Sequence, residues 1–156
     1  MNVPPDLRYS IDHEWVRVVG EGRVRIGITD YAQDALGVVV FVETPEVGAR
    51  VESGSMFGEV ESTKSVSELF APVTGEVVAV NEELEAAPEK VNEDPYGEGW
   101  ICEILTESEG DLMEAAAYQA LIDTGYVETR ERSGYVVSDD APVSQLVDTP
   151  GNDLEA

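Results

Sequence analysis

Lysine is almost absent from this chain. Nine basic side chains occur in 156 residues, and only Lys64 and Lys90 among them are lysines. Any chemistry that needs an amine side chain therefore has two candidate positions. A single cysteine, Cys102, excludes an internal disulfide and every multi-cysteine metal or redox motif. It lies in an apolar run with no basic neighbour to lower its pKa, so a buried structural thiol is expected. A single histidine, His13, means that any Ser/His/Asp or Cys/His nucleophile scheme must pass through it. No Gly-x-Ser-x-Gly elbow accompanies it, which disfavours a hydrolase, and His13 reads as a packing and hydrogen-bonding residue beside Trp15. The Gly-Glu-Gly stretches at 20–22 and 97–99 lack the third glycine of a dinucleotide loop. The acid pairs Glu82-Glu83 and Asp139-Asp140 lack calcium-loop spacing and read as solvated faces, so no metal is expected.

Positive charge is scarce too. Thirty-three acids leave a net charge of −24 and a pI near 4.1. Such a field repels phosphate backbones and anionic lipid, so neither nucleic acid nor membrane is expected as a partner, and a protein with a basic docking face suits it better. No apolar run approaches the 18 residues of a membrane helix, and residues 1–10 show neither a signal-peptide nor a transit-peptide pattern; a cytoplasmic chain is expected.

What is present is mostly strand pattern. Glu14–Val19 and Arg23–Ile28 alternate around Gly20-Glu21-Gly22 as a hairpin. Thr29 or Asp30 caps a short helix over Tyr31–Leu36, which Gly37 closes. Residues 38–44 form an apolar strand ended by Pro45, and four short strands follow at 49–53, 56–62, 65–70 and 74–80. Glu82–Ala87 reads as a helical turn. Residues 100–105 are a last strand with Trp100, Cys102 and Ile104 on one face, and 111–121 are a helix with Leu112, Ala115, Ala116 and Gln119 along one side. Short strands punctuated by glycine and proline indicate a small barrel or sandwich. Beyond about residue 127 the pattern is lost: 128–156 carry seven acids and two arginines and read as a disordered acidic tail, leaving 1–127 as the folded domain.

The informative stretch is Gly54–Val80. Strand-like runs lie on both sides of Lys64, so Ser62-Thr63-Lys64-Ser65 becomes a hairpin turn with the lysine at its tip. An exposed amine on a rigid, narrow tip can be enclosed by an acylating enzyme without unfolding. Once joined by an amide, it loses its charge and becomes the stem of a long arm.

These residues resemble the glycine cleavage system H-protein family, lipoate carriers related to biotinyl and lipoyl domains. The resemblance rests on His13-Glu14-Trp15, Gly27-Ile28-Thr29-Asp30-Tyr31-Ala32-Gln33, Phe41-Val42-Glu43, Gly58 through Ser65, Ala71 through Val77, Val91-Asn92 and Asp94 through Trp100, in order from about residue 7 to 125. Biotin carriers place methionine on both sides of their lysine; here the flanks are Thr63 and Ser65. Many relatives carry an acid where this chain has Val38.

The resemblance implies a mainly β fold with short helices, a barrel-sandwich hybrid (lipoyl-domain-like) with a C-terminal helix. It implies a non-catalytic carrier with lipoate covalently attached to Lys64, working between the pyridoxal-phosphate-dependent glycine decarboxylase, the folate-dependent aminomethyltransferase and dihydrolipoyl dehydrogenase. Lipoyl-attaching enzymes would load it. By the same resemblance the polar contacts for the loaded arm fall on Asp12, Glu14 and Glu68, where a carboxylate would favour a protonated amine. The alternative is a lipoyl-relay or scaffold protein serving other lipoate-dependent enzymes.

Overall fold

The computed structural model of the chain describes residues 1–124; the acidic stretch 128–156 lies outside the described residues. Met1–Ala120 form one compact unit, and a second begins at Leu121.

Ten strands and four short helices are described in chain order: β1 (Arg8–Tyr9), β2 (Glu14–Gly20), β3 (Arg23–Ile28), α1 (Asp30–Leu36), β4 (Val39–Glu43), β5 (Arg50–Val51), β6 (Met56–Ser62), β7 (Val66–Phe70), β8 (Val73–Val80), α2 (Glu83–Ala86), α3 (Lys90–Glu93), β9 (Cys102–Glu109), β10 (Met113–Glu114) and α4 (Ala115–Asp123). Seven strands make one antiparallel sheet in the order β10-β1-β2-β3-β9-β8-β5, and three make a second in the order β4-β6-β7. Inward residues of both, among them Val16, Ile26, Ile104, Val42, Val60 and Leu69, pack into one core. This is the mainly β sandwich that the short alternating runs predict.

Local chemistry sets the boundaries. Thr29 caps α1, its hydroxyl accepting from the Ala32 N–H at 3.2 Å. Gly37 ends the helix at φ 87° and ψ −158°, a combination that only glycine adopts without strain. Gly27 is required by contact instead: a Cβ there would come within 2.6 Å of the Trp15 ring that covers it.

Three expectations are corrected. Trp100 does not share the core face with Cys102 and Ile104. Its ring lies outside, 4.5 Å beneath the Arg25 guanidinium, because the chain enters β9 irregularly through Ile101. The helix expected over 111–121 starts at Ala115, after the β10 pairing with β1, and its anchor is buried Tyr118 rather than the Ala116 side. Of the expected 49–53 strand, only Arg50–Val51 is a strand. His13 is a packing and hydrogen-bonding residue: its ring stacks 4.9 Å from Tyr31, and its Nδ1 lies 2.8 Å from the Tyr118 hydroxyl.

On the outer face of the large sheet Arg17 stands directly opposite Arg25, a repulsive cross-strand pair. Glu103 offsets this from β9. One carboxylate oxygen accepts from Arg23 Nε and the other from Arg25 Nε, both at 2.8 Å. Burial pushes the Glu103 carboxyl up, but the Arg25 and Arg23 hydrogen bonds and charges outweigh it and hold the pKa below its ordinary value. Such a group contributes stability above its unfolded pKa and loses it as pH falls through the folded one. Glu103→Gln should therefore cost about 1–2 kcal/mol at pH 7. In denaturant melts its deficit against the parent chain should shrink once pH drops below about 4. A deficit that is constant across that range would show that the carboxylate charge contributes nothing.

Candidate functional site

The hairpin of β6 and β7 presents Lys64. Its two-residue tip, Thr63-Lys64, joins strands paired as Glu61↔Val66, Val60↔Ser67 and Glu59↔Glu68. Two-residue hairpin links usually need positive φ, yet neither Thr63 nor Lys64 has it. Ser62 supplies the restraint instead. Its hydroxyl oxygen accepts from the Lys64 and Ser65 N–H groups, both at 3.1 Å, while the Ser62 N–H donates to the Ser65 carbonyl at 2.8 Å. The Thr63 N–H then donates to the Val38 carbonyl at 3.0 Å, tying the tip to the segment entering β4. The lysine thus projects from a backbone fixed on both sides.

The two lysines differ in availability. Lys90 donates to Glu98 at 2.7 Å. Lys64 is exposed and forms no ion pair among the described residues. Its stem lies over Gly37, where an added Cβ would sit 3.1 Å from Lys64 Cε and 3.7 Å from Nζ. A shallow cleft of about 390 Å³ opens beside it, lined by Gln33, Asp34, Gly37, Val38, Glu89, Asn92 and Glu93.

Asn92 builds this corner. Its side-chain oxygen accepts from the Val39 N–H at 2.9 Å, and its amide donates to the Gly37 carbonyl at 2.8 Å and to Gln33 Oε1 at 2.9 Å. The sequence marks Asn92 only as a matching residue; no local signal shows that it joins α1, β4 and α3 beneath the lysine. Other motif residues also meet through the fold. Trp15 Nε1 donates to the Pro95 carbonyl at 2.9 Å, and the Asp30 N–H donates to the Tyr96 hydroxyl at 3.0 Å.

The three carboxylates of the expected arm pocket are spread out. Asp12 is half-buried in the turn before β2. Glu14 is 1% exposed; Ser10 Oγ donates to one carboxylate oxygen at 2.6 Å and the Phe70 N–H to the other at 3.1 Å. Glu68 is exposed on β7, opposite Glu59. Glu14 therefore meets β7 at Phe70, two residues along that strand from Glu68. Phe70 lies about 20 Å of extended chain from Lys64, beyond an unmodified lysine and within range only of a longer arm.

Cys102 is fully buried, and burial together with neighbouring Glu103 pushes its thiol well above the ordinary range. Among the described residues no group of three or more His, Cys, Asp or Glu side chains is placed to hold a metal ion. No helix described is long and apolar enough to cross a membrane.

A sandwich of two antiparallel sheets with one lysine, free of ion pairs among the described residues, on a braced hairpin defines a class of protein: small β domains that hold an amine at a fixed, exposed tip. Comparison with known proteins narrows the class. The family profile described as Glycine cleavage H-protein matches residues 7–125, and the chain belongs to that family. Among its relatives are glycine cleavage system H proteins of Mycolicibacterium smegmatis, 58% identical over 126 residues (77% of this chain, 96% of the relative), and of Corynebacterium jeikeium, 61% identical over 121 residues (76% and 95%). The crystal structure of a glycine cleavage system H protein from Mycobacterium marinum superposes with a TM-score of 0.74 at 42% identity, covering 79% of this chain and 99% of that one.

Proposed function

We propose that the chain is a non-catalytic carrier that bears lipoate in amide linkage on Lys64. The observation that carries this reading is the exposed lysine, free of ion pairs among the described residues, at a hairpin tip braced by Ser62 and Val38. The reaction joins Lys64 Nζ to the lipoyl carboxyl, which the attaching enzyme activates as an adenylate from ATP with release of pyrophosphate; AMP then leaves and the amine proton goes to solvent. When bound, the group would supply a cyclic disulfide that takes up an aminomethyl unit on one sulfur as it is reduced and is left as a dithiol when the unit departs. The chain's own part is to hold the stem at a fixed place and to present it to each partner in turn.

The partners in this reading are glycine decarboxylase, the aminomethyltransferase, dihydrolipoyl dehydrogenase and the lipoyl-attaching enzymes, all met in the bacterial cytoplasm where ATP-dependent acylation occurs. Residues 1–127 form the carrier domain. An arm folded back along β7 would pass Glu68 and end near Glu14 and Asp12. Ser10 Oγ and the Phe70 N–H donate to Glu14 and fix its carboxylate in place, and a carboxylate favours a protonated amine.

Intact mass measurement tests the core of this reading. Protein made with lipoate and a competent ligase should gain one lipoyl increment, and peptide mapping should place it on Lys64. Unmodified Lys64 under those conditions would count decisively against it.

A further inference from the structure

The outer face of the β4-β6-β7 sheet has no covering element among the described residues, and its side chains form two distinct rows. Next to the Lys64 turn runs Phe41–Glu61–Val66, and one step further runs Glu43–Glu59–Glu68. Phe41 is 52% exposed and Val66 56%; Val40, the extra residue of the β4 bulge, is 48% exposed, and Val38, beside the turn, 59%. Large apolar side chains this exposed, gathered round one point of a −24 chain, are unlike scattered surface valines.

The second row is costly on its own. Three carboxylates directly opposite one another on adjacent strands repel. Among the described residues none of Glu43, Glu59, Glu61 and Glu68 forms an ion pair or a side-chain hydrogen bond; the described ion pairs use Arg23, Arg25, Arg50 and Lys90 with other acids. The sheet therefore holds an apolar centre bordered by uncompensated negative charge.

We infer that this sheet face is the surface on which the enzyme that acylates Lys64 docks, presenting an apolar spot rimmed by arginine or lysine side chains. The inference rests on the carrier reading of Lys64. Two considerations select this occupant. The acylating enzyme must bring its active site to the ε-amine itself, so it must seat on the surface that surrounds the turn; enzymes acting at the far end of an arm are under no such constraint. A second copy of the chain would set carboxylate row against carboxylate row.

The test uses a purified lipoate–protein ligase with lipoic acid and ATP, and the full chain as acceptor. Rates at low acceptor concentration give kcat/KM across a range of NaCl. The parent chain should lose kcat/KM as salt rises. Glu43→Gln/Glu59→Gln/Glu68→Gln should lower it about tenfold at low salt, flatten the salt dependence and leave kcat near the parent value. The assay precedes any loaded arm, so the separate part proposed for Glu68 does not enter. Phe41→Ser should lower kcat/KM by a similar factor with the salt slope intact. A control of equal charge change away from the sheet, Glu21→Gln/Glu82→Gln/Glu85→Gln, should behave as the parent chain. The triple face variant should melt no lower than the parent, since it removes repulsion.

Face variants without effect, or a control that loses as much, would overturn the docking assignment. So would sedimentation showing a dimer that Phe41→Ser splits, because the face would then belong to a second copy. Titration of the ligase with the Lys64→Arg chain separates this proposal from the carrier reading. If Lys64 is never acylated but face-dependent binding persists, the carrier reading fails and the docking surface stands. Acylation that ignores the face does the reverse, and neither acylation nor binding overturns both.

Discussion

Lys64→Arg should take up no lipoate and support no glycine decarboxylation when supplied with the partner enzymes, while melting within a few degrees of the parent chain. The fold is insensitive because the side chain is exposed and makes no ion pair among the described residues; substitutions at such surface positions usually change stability by less than about 0.5 kcal/mol. The turn is insensitive because its bracing uses the Lys64 N–H, which arginine also has. Function is lost because a guanidinium stays protonated at any working pH and is too poor a nucleophile to accept an acyl group. Lys90 offers no second route. It sits at the start of α3, not on a hairpin tip, and its ammonium is held by Glu98 at 2.7 Å. Mass spectrometry of the variant after incubation with ligase, lipoic acid and ATP gives the answer directly. Label appearing on Lys90, or glycine decarboxylation retained, would mean that the arm belongs elsewhere.

The part of the site that could be read from the sequence is the part built from neighbours. Alternation on either side of Ser62-Thr63-Lys64-Ser65 fixes both strands and the tip, and the capping chemistry of Thr29 and Gly37 needs only a few residues of context. What was hidden depends on chain returning from far away. β1 and β10 are two-residue strands that exist by pairing with each other and with β2, so no periodicity can betray them. Tyr118 anchors α4 by stacking on Tyr9 at 4.7 Å and reaching the Thr29 hydroxyl at 2.8 Å, partners on the opposite end of the chain. Glu14 looks like one acid among 33; its burial follows from Phe70, 56 residues away. The outer carboxylate row is legible only once register is known, since Glu43, Glu59 and Glu68 are aligned by pairing and not by spacing. Asn92 belongs to the same hidden group, with partners 53 to 59 residues distant.

Asn92→Ala should destabilise the chain by about 2–4 kcal/mol, the largest stability loss expected from a single polar side chain near the site. Three hydrogen bonds disappear together. Two of them satisfy main-chain groups, the Val39 N–H and the Gly37 carbonyl, and Val39 is buried, so water does not readily replace the lost partner. The comparison variant Gln33→Ala removes only the third bond and leaves Asn92 on the backbone; it should cost about 1 kcal/mol. The functional consequence follows from what Asn92 holds. Val38 lies between its two main-chain partners, and the Val38 carbonyl accepts the Thr63 N–H that steadies the lysine tip. Slackening that corner should lower kcat/KM for acylation of Lys64 by about 3–10-fold even well below the melting temperature, because a poorly positioned amine reaches the acyl carbonyl less often. Thermal melts and ligase kinetics on both variants measure the two effects separately. A melting temperature for Asn92→Ala equal to that of Gln33→Ala would show that the main-chain bonds carry no more than the side-chain one. An acylation rate unchanged at low temperature would show that the lysine turn keeps its geometry without the corner beneath it.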